Sequence, residues 1–318
     1  MLRKILIANR GEIALRIGRA VADLGLASVA VHAADDAHAL VGRATESVAL
    51  DASGPAAYLD VGAMVGIAQA TGCDAVHPGY GFLSERADFA RACADAGLTF
   101  IGPSVEHLML FGDKLRARHF AQQCGVPLLP GSAREVSLDE AQAFFAAAGG
   151  AGVMLKAAGG GGGRGMRAVL HAKDLPEAYA RCVSEARSAF GVAGVYVERL
   201  MARGRHVEVQ ILGDGRQVMS LGDRECSPQR RFQKLVEVAP SPNLPDALRE
   251  RITEAALAMA KAAQYRNLGT FEFLVDAADR EAPFVFIEAN PRLQVEHTVT
   301  EAVTGLDLVQ LQIGIAAG

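Results

Sequence analysis

The first third of the chain alternates between short apolar runs and amphipathic stretches. The run KILIAN at residues 4–9 predicts a buried strand. A helix is predicted from Glu12 to Leu24, because its large apolar residues recur at helical spacing and Gly25 follows. A second apolar strand is predicted at residues 28–33. Strand, helix and strand in this order predict two parallel strands joined by a right-handed crossover.

The same alternation recurs further along. Residues 73–81 predict a strand that ends in a turn, residues 84–97 a helix with Ser84 at its N-cap, and residues 98–104 another strand. We therefore expect residues 1–112 to form one α/β domain with a parallel sheet. It resembles a nucleotide-binding fold, although its first turn, ANRGEI, lacks the three-glycine dinucleotide fingerprint.

The pattern changes after Gly112. A helix bounded by Gly125 comes first, and two helical stretches then flank a glycine-rich loop. From residue 205 onward period-2 alternation dominates and predicts strands at 205–212, 217–222, 269–275 and 283–290, with one helix at 246–264 among them. This order predicts an α+β domain with a mainly antiparallel sheet over residues 113–318.

The glycine-rich loop lies in LKAAGGGGGRGMRAV, residues 155–169, and includes the consecutive glycines Gly159–Gly163. A dinucleotide loop and a P-loop must both open a helix, whereas these glycines join two predicted strands, 152–158 and 166–170. The tip of such a hairpin can fold over a polyphosphate, because its bare N–H groups approach oxygen closely. With Lys156 beside it, we interpret this hairpin as a phosphate cover, the alternative being a simple loop.

Two later strands place carboxylates near each other. In GTFEFLV, Glu272 faces away from Phe271 and Phe273, and in FVFIEAN the strand ends with Glu288 and Asn290. If these strands form a hairpin, two carboxylates and an amide oxygen meet, which suits Mg²⁺. The alternative, that both glutamates face solvent, stays open at this point.

Basic residues cluster beside the cleanest alternating strand. In RHVEVQIL, three valine and isoleucine side chains face one side, and His206, Glu208 and Gln210 face the other. The segment that follows, in an otherwise acidic protein, predicts an anion pocket from Arg224, Arg230, Arg231 and Lys234.

The segment NPRLQVEH, residues 290–297, is dense in polar groups, and its proline argues against a helix. A planar arginine near a lysine suits a small oxyanion such as bicarbonate. A nearby glutamate, Glu296, can act as a general base.

Composition narrows the choice of function. The chain has 318 residues with a net charge of −4, which gives no electrostatic field for nucleic acid or an anionic membrane. No apolar run reaches the length of a spanning helix, and the first residues do not resemble a signal peptide. Five scattered cysteines without a C-x-x-C motif predict reduced thiols and a cytoplasmic location.

Together, the strings KILIANRGEIALRI, HPGYGFLSE, IGPS, GDK, KAAGGGGGRGM, RHVEVQ, RECSPQRRFQK, GTFEF and NPRLQVEHTVTE resemble biotin carboxylase, an ATP-grasp enzyme. The resemblance covers essentially the whole chain. It implies a pre-ATP-grasp domain at 1–112 and an ATP-grasp domain at 113–318, with a lid at about 131–203. It also implies that the C-terminal part of the family fold is missing.

The family's roles carry over to matching positions. The resemblance implies an ATP site formed by Lys114, Lys156, Gly161, Gly162, Gly163, Glu198, Leu200, Met201, His206 and Gln229. It implies a magnesium site, with manganese as an alternative ion, at Glu272, Glu288 and Asn290. It implies a bicarbonate site at Lys234, Arg292, Gln294 and Val295. Glu296, Arg292 and Lys234 would then be the catalytic residues, with Glu296 as the base.

The implied reaction is carboxylation of biotin on a carrier protein. Bicarbonate attacks the γ-phosphate of MgATP to give carboxyphosphate, and CO₂ released from it is captured by the biotin enolate. The implied partners are a biotin carboxyl carrier, a carboxyltransferase and further copies of the chain. The final acceptor (acetyl-CoA, propionyl-CoA, longer acyl-CoA, pyruvate or urea) stays open.

Two other functions are compatible with the residues. One is an ATP-grasp ligase of carbamoyl-phosphate-synthetase type, which would share the metal set but is not expected to share QRRFQK with RLQVEH. The other is an ATP-binding module that docks partners without turnover. Phe232 stands where the family often has histidine, which leaves nucleotide affinity open.

Overall fold

The N-terminal region is built on a parallel sheet. The computed structural model describes residues 2–36, 44–159, 165–190, 194–276 and 283–318. Five strands pair in the order β3-β2-β1-β4-β5, and every pairing is parallel. They are β1 (Lys4–Ile7), β2 (Ala27–His32), β3 (Glu46–Ala49), β4 (Ala75–His77) and β5 (Thr99–Phe100).

Helices cover both faces of this sheet. They are α1 (Gly11–Asp23), α2 (Val61–Ala70) and α3 (Ala87–Asp95), with a 3₁₀ turn at Pro55–Leu59. Helix α4 (Val105–Phe111) comes next and packs against α3. Alternate residues of β1 serve opposite faces: Ile5 and Ile7 pack with α1, and Leu6 packs with Val29 and Val76. Burial on both faces explains why these strands are apolar throughout rather than alternating.

Two details of the predicted α/β pattern are wrong. The last strand spans only Thr99–Phe100 instead of residues 98–104, because Gly102 and Pro103 follow and proline has no N–H for the ladder. The third helix starts at Ala87, so Ser84 is not its N-cap. Ser84 instead lies in the preceding turn, where its backbone N–H donates to the Gly81 carbonyl at 2.9 Å.

A small three-stranded sheet forms the next part of the chain, after helix α5 (Lys114–Gln123), which Asp113 caps. This sheet has the order β7-β6-β8, and both pairings are antiparallel. Its elements are α6 (Leu138–Ala147), β6 (Val153–Ala157), β7 (Met166–Val169), α7 (Leu175–Phe190) and β8 (Val195–Arg199), with a 3₁₀ turn at Ala172–Asp174. The glycine-rich segment therefore joins two antiparallel strands, as the sequence predicts.

The central sheet is antiparallel, with the order β10-β9-β13-β14. The remaining elements are β9 (Arg205–Asp214), β10 (Val218–Glu225), β11 (Gln229–Arg230), β12 (Gln233–Lys234), α8 (Asp246–Ala262), β13 (Arg266–Val275), β14 (Phe284–Asn290), α9 (His297–Thr304) and α10 (Leu308–Ala317). None of the helices in the described ranges is both long and apolar enough to cross a membrane.

The two faces of the central sheet have opposite character. Val207, Val209, Phe271 and Phe273 join the core beneath α8. Because side chains alternate along a strand, the residues between them face the other way. That second face carries the polar side chains of the candidate site.

Candidate active site

Three glutamates lie side by side across neighbouring strands. In the sheet register Glu272 on β13 stands opposite Glu208 on β9 and Glu288 on β14. Glu208 is fully buried and Glu272 is 2% exposed. The prediction that Glu272 turns away from the phenylalanine core is confirmed, and the alternative that it faces solvent is wrong.

The polar face lines a cavity of about 770 Å³ between the small sheet and the central sheet. Its apolar lining includes side chains from the small sheet and the residues that follow its strands: Met154, Met166, Leu170, Leu200 and Met201. Its polar lining holds the predicted residues His206, Gln229, Lys234, Glu272, Glu288, Asn290, Arg292, Gln294 and Glu296. Lys156, Glu198, Val295 and Phe232 also line it. The structure therefore brings together residues that lie up to 167 positions apart, from Leu129 to Glu296.

Lys234 contacts three glutamates in the polar lining of the cavity. Its Nζ lies 2.5 Å from Glu208 Oε2, 3.1 Å from Glu272 Oε1 and 2.5 Å from Glu296 Oε1. Burial alone lowers the pKa of Lys234, but the carboxylates, Glu272 foremost, raise it to well above its ordinary value. The ammonium is therefore charged throughout the neutral range and holds the strand glutamates beside Glu296.

The basic cluster predicted to form one anion pocket is split by the fold. Arg224 has no exposed surface, and it donates to Glu208 Oε1 at 2.5 Å and to Thr300 Oγ1 at 2.7 Å. Arg230 and Arg231 are exposed. Only Lys234 of the four lines the cavity, so the prediction of a four-residue pocket is wrong. Arg224 pairs instead with the buried carboxylate of Glu208, because a buried guanidinium without a counter-charge is very unfavourable.

Arg292 connects the cavity to the N-terminal sheet region. Its Nε donates to Glu85 at 2.5 Å, and its Nη1 donates to Gln294 Oε1 at 2.5 Å. A third donor, Nη2, lies 3.2 Å from Asn290 Oδ1. The planar guanidinium is thus held in one orientation by three side chains, which fixes the direction in which it can meet an anion.

The predicted metal ligands carry a donor set that fits Mg²⁺. Glu272 Oε1 accepts from Asn290 Nδ2 at 2.6 Å, and Glu288 Oε2 lies 3.1 Å from Lys114 Nζ. Burial alone raises the pKa of Glu288, but Lys114, and then Lys156, lower it to about 2. Two carboxyl groups opposite each other on adjacent strands, with a carboxamide at the strand end, offer hard oxygen donors of the kind Mg²⁺ prefers.

His206, which the sequence predicts in the ATP site, contacts Glu272, which it predicts in the metal site. Its Nε2 lies 2.5 Å from Glu272 Oε2, and its Nδ1 lies 2.7 Å from Gln229 Nε2. Burial alone lowers the pKa of His206, whereas the Glu272 carboxylate raises it by more, so the net pKa is above the ordinary value. His206, Glu208 and Glu272 also place ligand atoms within 4.8 Å of one another.

Glu198 has two cationic partners. Arg118 pairs with its Oε1, and Lys156 Nζ lies 2.5 Å from its Oε2. All three side chains are at most 9% exposed. The sequence singled out Glu198 and Lys156 as separate nucleotide contacts but did not link them, and it missed Arg118.

Gly161, Gly162 and Gly163, predicted to cover phosphates, lie outside the described residues. Glu85 and Arg118 were missed, because each sits in a segment read only as a turn or a helix. The one signal available for Arg118 was its spacing of four from Lys114, which places both residues on one face of helix α5.

Comparisons with known proteins agree with this geometry. Residues 1–108 match the family model "Biotin carboxylase, N-terminal domain", and residues 113–318 match "Carbamoyl-phosphate synthase L chain, ATP binding domain". A solved biotin carboxylase–β,γ-ATP complex from Campylobacter jejuni is 43% identical, with a TM-score of 0.95 over 100% of this chain and 71% of that chain. The biotin carboxylase domain of a Hydrogenobacter thermophilus 2-oxoglutarate carboxylase, solved with MgADP and bicarbonate, is 42% identical, with a TM-score of 0.95 over 100% of this chain and 70% of that one.

The chain is therefore an ATP-grasp protein with a parallel-sheet N-terminal region. More particularly, it belongs to the biotin carboxylase family. It is 49% identical to the pyruvate carboxylase of Bacillus subtilis over 321 aligned residues, which cover 100% of this chain and 28% of that protein. It thus spans little more than a quarter of the length of that relative.

Proposed function

We propose that the chain catalyses the ATP- and bicarbonate-dependent carboxylation of biotin carried on a partner protein, through carboxyphosphate. The observation that carries the proposal is the polar lining of the cavity. There Lys234, Arg292 and Glu296 meet the paired glutamates of the central sheet. The solved relative that holds both MgADP and bicarbonate supports the same pair of ligands here.

The cavity lining suits both parts of ATP. The apolar side chains, including Leu200 and Met201, would accept the adenine, and Glu198, which also lines the cavity, would meet its amino group. Lys156, which lines the cavity, and Lys114, which pairs with Glu288, would contact the phosphates. His206 and Gln229, 2.7 Å apart, would also contact the nucleotide.

A metal ion would be held by Glu272, Glu288 and Asn290. Bound Mg²⁺ would neutralise phosphate charge and orient the γ-phosphate for in-line attack. Lys114, which pairs with Glu288, would then be free to contact phosphate oxygens, and charge compensation would be kept throughout. Gly161–Gly163 would cover the phosphates and exclude water, which protects an acyl phosphate from hydrolysis.

Bicarbonate would lie against Arg292, Gln294, Val295 and Lys234. Glu296 would remove its proton, because its Oε1 sits 2.5 Å from the Lys234 ammonium and faces the same cavity. The oxyanion so formed attacks the γ-phosphate and gives ADP and carboxyphosphate. Carboxyphosphate then yields CO₂ and phosphate, the phosphate removes the ureido proton of biotin, and the enolate captures CO₂.

The domain limits and partners extend this proposal. We assign a pre-ATP-grasp domain to residues 1–112 and an ATP-grasp domain to 113–318, with the lid at about 131–203. A biotin carboxyl carrier and a carboxyltransferase are the proposed partners, since the B. subtilis relative is a pyruvate carboxylase. We further propose self-association and a cytoplasmic location, the latter supported by five free cysteines.

The test is ADP release with and without bicarbonate and free biotin. The proposal expects release that needs bicarbonate and rises with biotin. Glu296→Gln should reduce it at least a hundredfold, because general-base catalysis contributes 10²–10⁴. Glu254→Gln, at an exposed position on α8, is the matched control and should leave the rate unchanged.

Other outcomes identify other functions. Turnover that ignores bicarbonate and biotin but needs an amino-group acceptor would instead indicate a carbamoyl-phosphate-type ligase. Tight MgATP binding without turnover would indicate a docking module.

A further inference from the structure

The Arg118–Glu198–Lys156 triad lies at the boundary between helix α5 and the small sheet. Glu198 is on β8, Lys156 on the neighbouring strand β6, and Arg118 on α5. Glu198 is 1% exposed, so its negative charge has almost no access to solvent. A carboxylate buried this far needs a cation in every state of the protein, because an unpaired buried charge is very unfavourable.

The two cations contact different oxygens of Glu198 and line different cavities. Lys156 and Glu198 both line the large cavity. Arg118 instead lines a separate, smaller cavity of about 140 Å³ on the side of α5. The nucleotide site can therefore compete for Lys156, whereas Arg118 stays behind the carboxylate.

Arg118 is fixed in place by contacts unrelated to any ligand. Its Nη2 donates to the Leu129 carbonyl at 2.9 Å, and its guanidinium carbon lies 6.0 Å from the centre of the Tyr196 ring. Residue 131, two positions after Leu129, is glycine, and a Cβ there would come within 2.9 Å of the Arg118 guanidinium. The backbone is thus built around this arginine.

We propose that Arg118 is a positioning residue that keeps Glu198 charge-compensated when Lys156 leaves it for the phosphates of ATP. The inference rests on the proposed ATP site. Without Arg118, Lys156 would be the main counter-charge of a buried carboxylate, and moving it to a phosphate would leave Glu198 uncompensated. Arg118 therefore makes Lys156 available without a desolvation penalty, and its effect falls on phosphate binding rather than on the adenine pocket.

The test compares two ligands that differ only in the phosphates. Dissociation constants for ATP and adenosine are measured by titration calorimetry or by displacement of a fluorescent nucleotide, using the whole chain. In Arg118→Met the Kd for ATP should rise at least tenfold more than the Kd for adenosine. Arg118→Lys, which keeps the positive charge, should keep the ratio of the two constants within threefold of the parent.

Repeating the measurement in a Glu198→Gln variant tests whether the effect of Arg118 depends on the charge of Glu198. In Glu198→Gln no buried charge needs compensation, so adding Arg118→Met should not change the ATP-to-adenosine ratio further. If Arg118→Met does not fold, Arg118→Gln decides, because it keeps a hydrogen-bond donor near Leu129 but carries no charge.

The outcomes separate this inference from the proposed function. Equal losses for ATP and adenosine in Arg118→Met would mean that the arginine only supports the fold, which overturns the inference and leaves the proposed function intact. The inference is likewise overturned if the ratio shifts by as much in the Glu198→Gln background. A parent chain that does not bind ATP would overturn both.

Discussion

Replacing Lys234 by methionine tests the charge arrangement at the centre of the site. The substitution keeps an unbranched side chain, one atom shorter, but removes the ammonium that contacts Glu208, Glu272 and Glu296. Glu208 keeps Arg224 at 2.5 Å. Glu296, only 6% exposed, would be left beside two carboxylates.

The expected cost follows from the distances. At an effective dielectric constant of 20, one ion pair whose charge centres are about 4 Å apart is worth about 4 kcal/mol. Removing one partner of a buried pair costs about 3–5 kcal/mol. With an unfolding entropy of about 2.1 cal/mol/K per residue, this corresponds to a fall in Tm of about 4–8 °C for cooperative unfolding of the chain.

The loss of stability in the variant should be larger at higher pH. Without Lys234, a carboxylate of the cluster has a raised pKa in the folded state, so the folded protein binds a proton more tightly than the unfolded one. Protonation relieves the repulsion, and this relief is lost as pH rises through the raised pKa. Each pH unit below the raised pKa corresponds to about 1.4 kcal/mol of this relief, or about 2 °C in Tm for this chain. The fall in Tm should therefore be smaller at pH 6 than at pH 8 by about 2 °C for each unit by which the raised pKa exceeds 6, up to about 4 °C.

Scanning calorimetry of the parent and the variant at both pH values measures the effect. Lys173→Met, at an exposed position, is the matched control and should shift Tm by less than about 1 °C. A fall of the same size at both pH values, or one no larger than that of the control, would contradict this electrostatic account of the site.

Three further expectations follow from individual contacts. Glu85→Gln removes the charge that orients Arg292 at 2.5 Å, so the KM for bicarbonate should rise about tenfold in steady-state assays while the KM for ATP stays constant. Gly131→Ala places a methyl group 3.0 Å from a backbone oxygen and should lower stability by about 1–3 kcal/mol, whereas Gly66→Ala, in an open helical position, should be neutral or stabilising by thermal melting. Ser137→Ala breaks the capping box of α6 and should cost about 1 kcal/mol, measured in the same way; no change would show that the cap is dispensable.

Local periodicity was enough to predict much of the architecture. Apolar runs joined by amphipathic helices predicted the parallel sheet, because its strands are buried on both faces and read as continuous apolar segments. Alternation in the segments around Glu208 and Glu272 predicted which side chains share a face, because the side-chain period of a strand is two. The glycine-rich hairpin was predictable because no helix follows it.

The amino-acid sequence alone thus specified the fold class, the polar face of the central sheet and the residues of the candidate site. How the charges of these residues pair became visible only in the folded chain. Glu85 and Arg292 are 207 positions apart, and Glu198 and Arg118 are 80 positions apart. The sequence predicted Arg224 and Lys234 in the same anion pocket, yet Arg224 pairs with the buried carboxylate of Glu208 and does not line the cavity. Such pairings follow from burial, because a charge must find whichever counter-charge the fold brings beside it, and no local pattern encodes that choice.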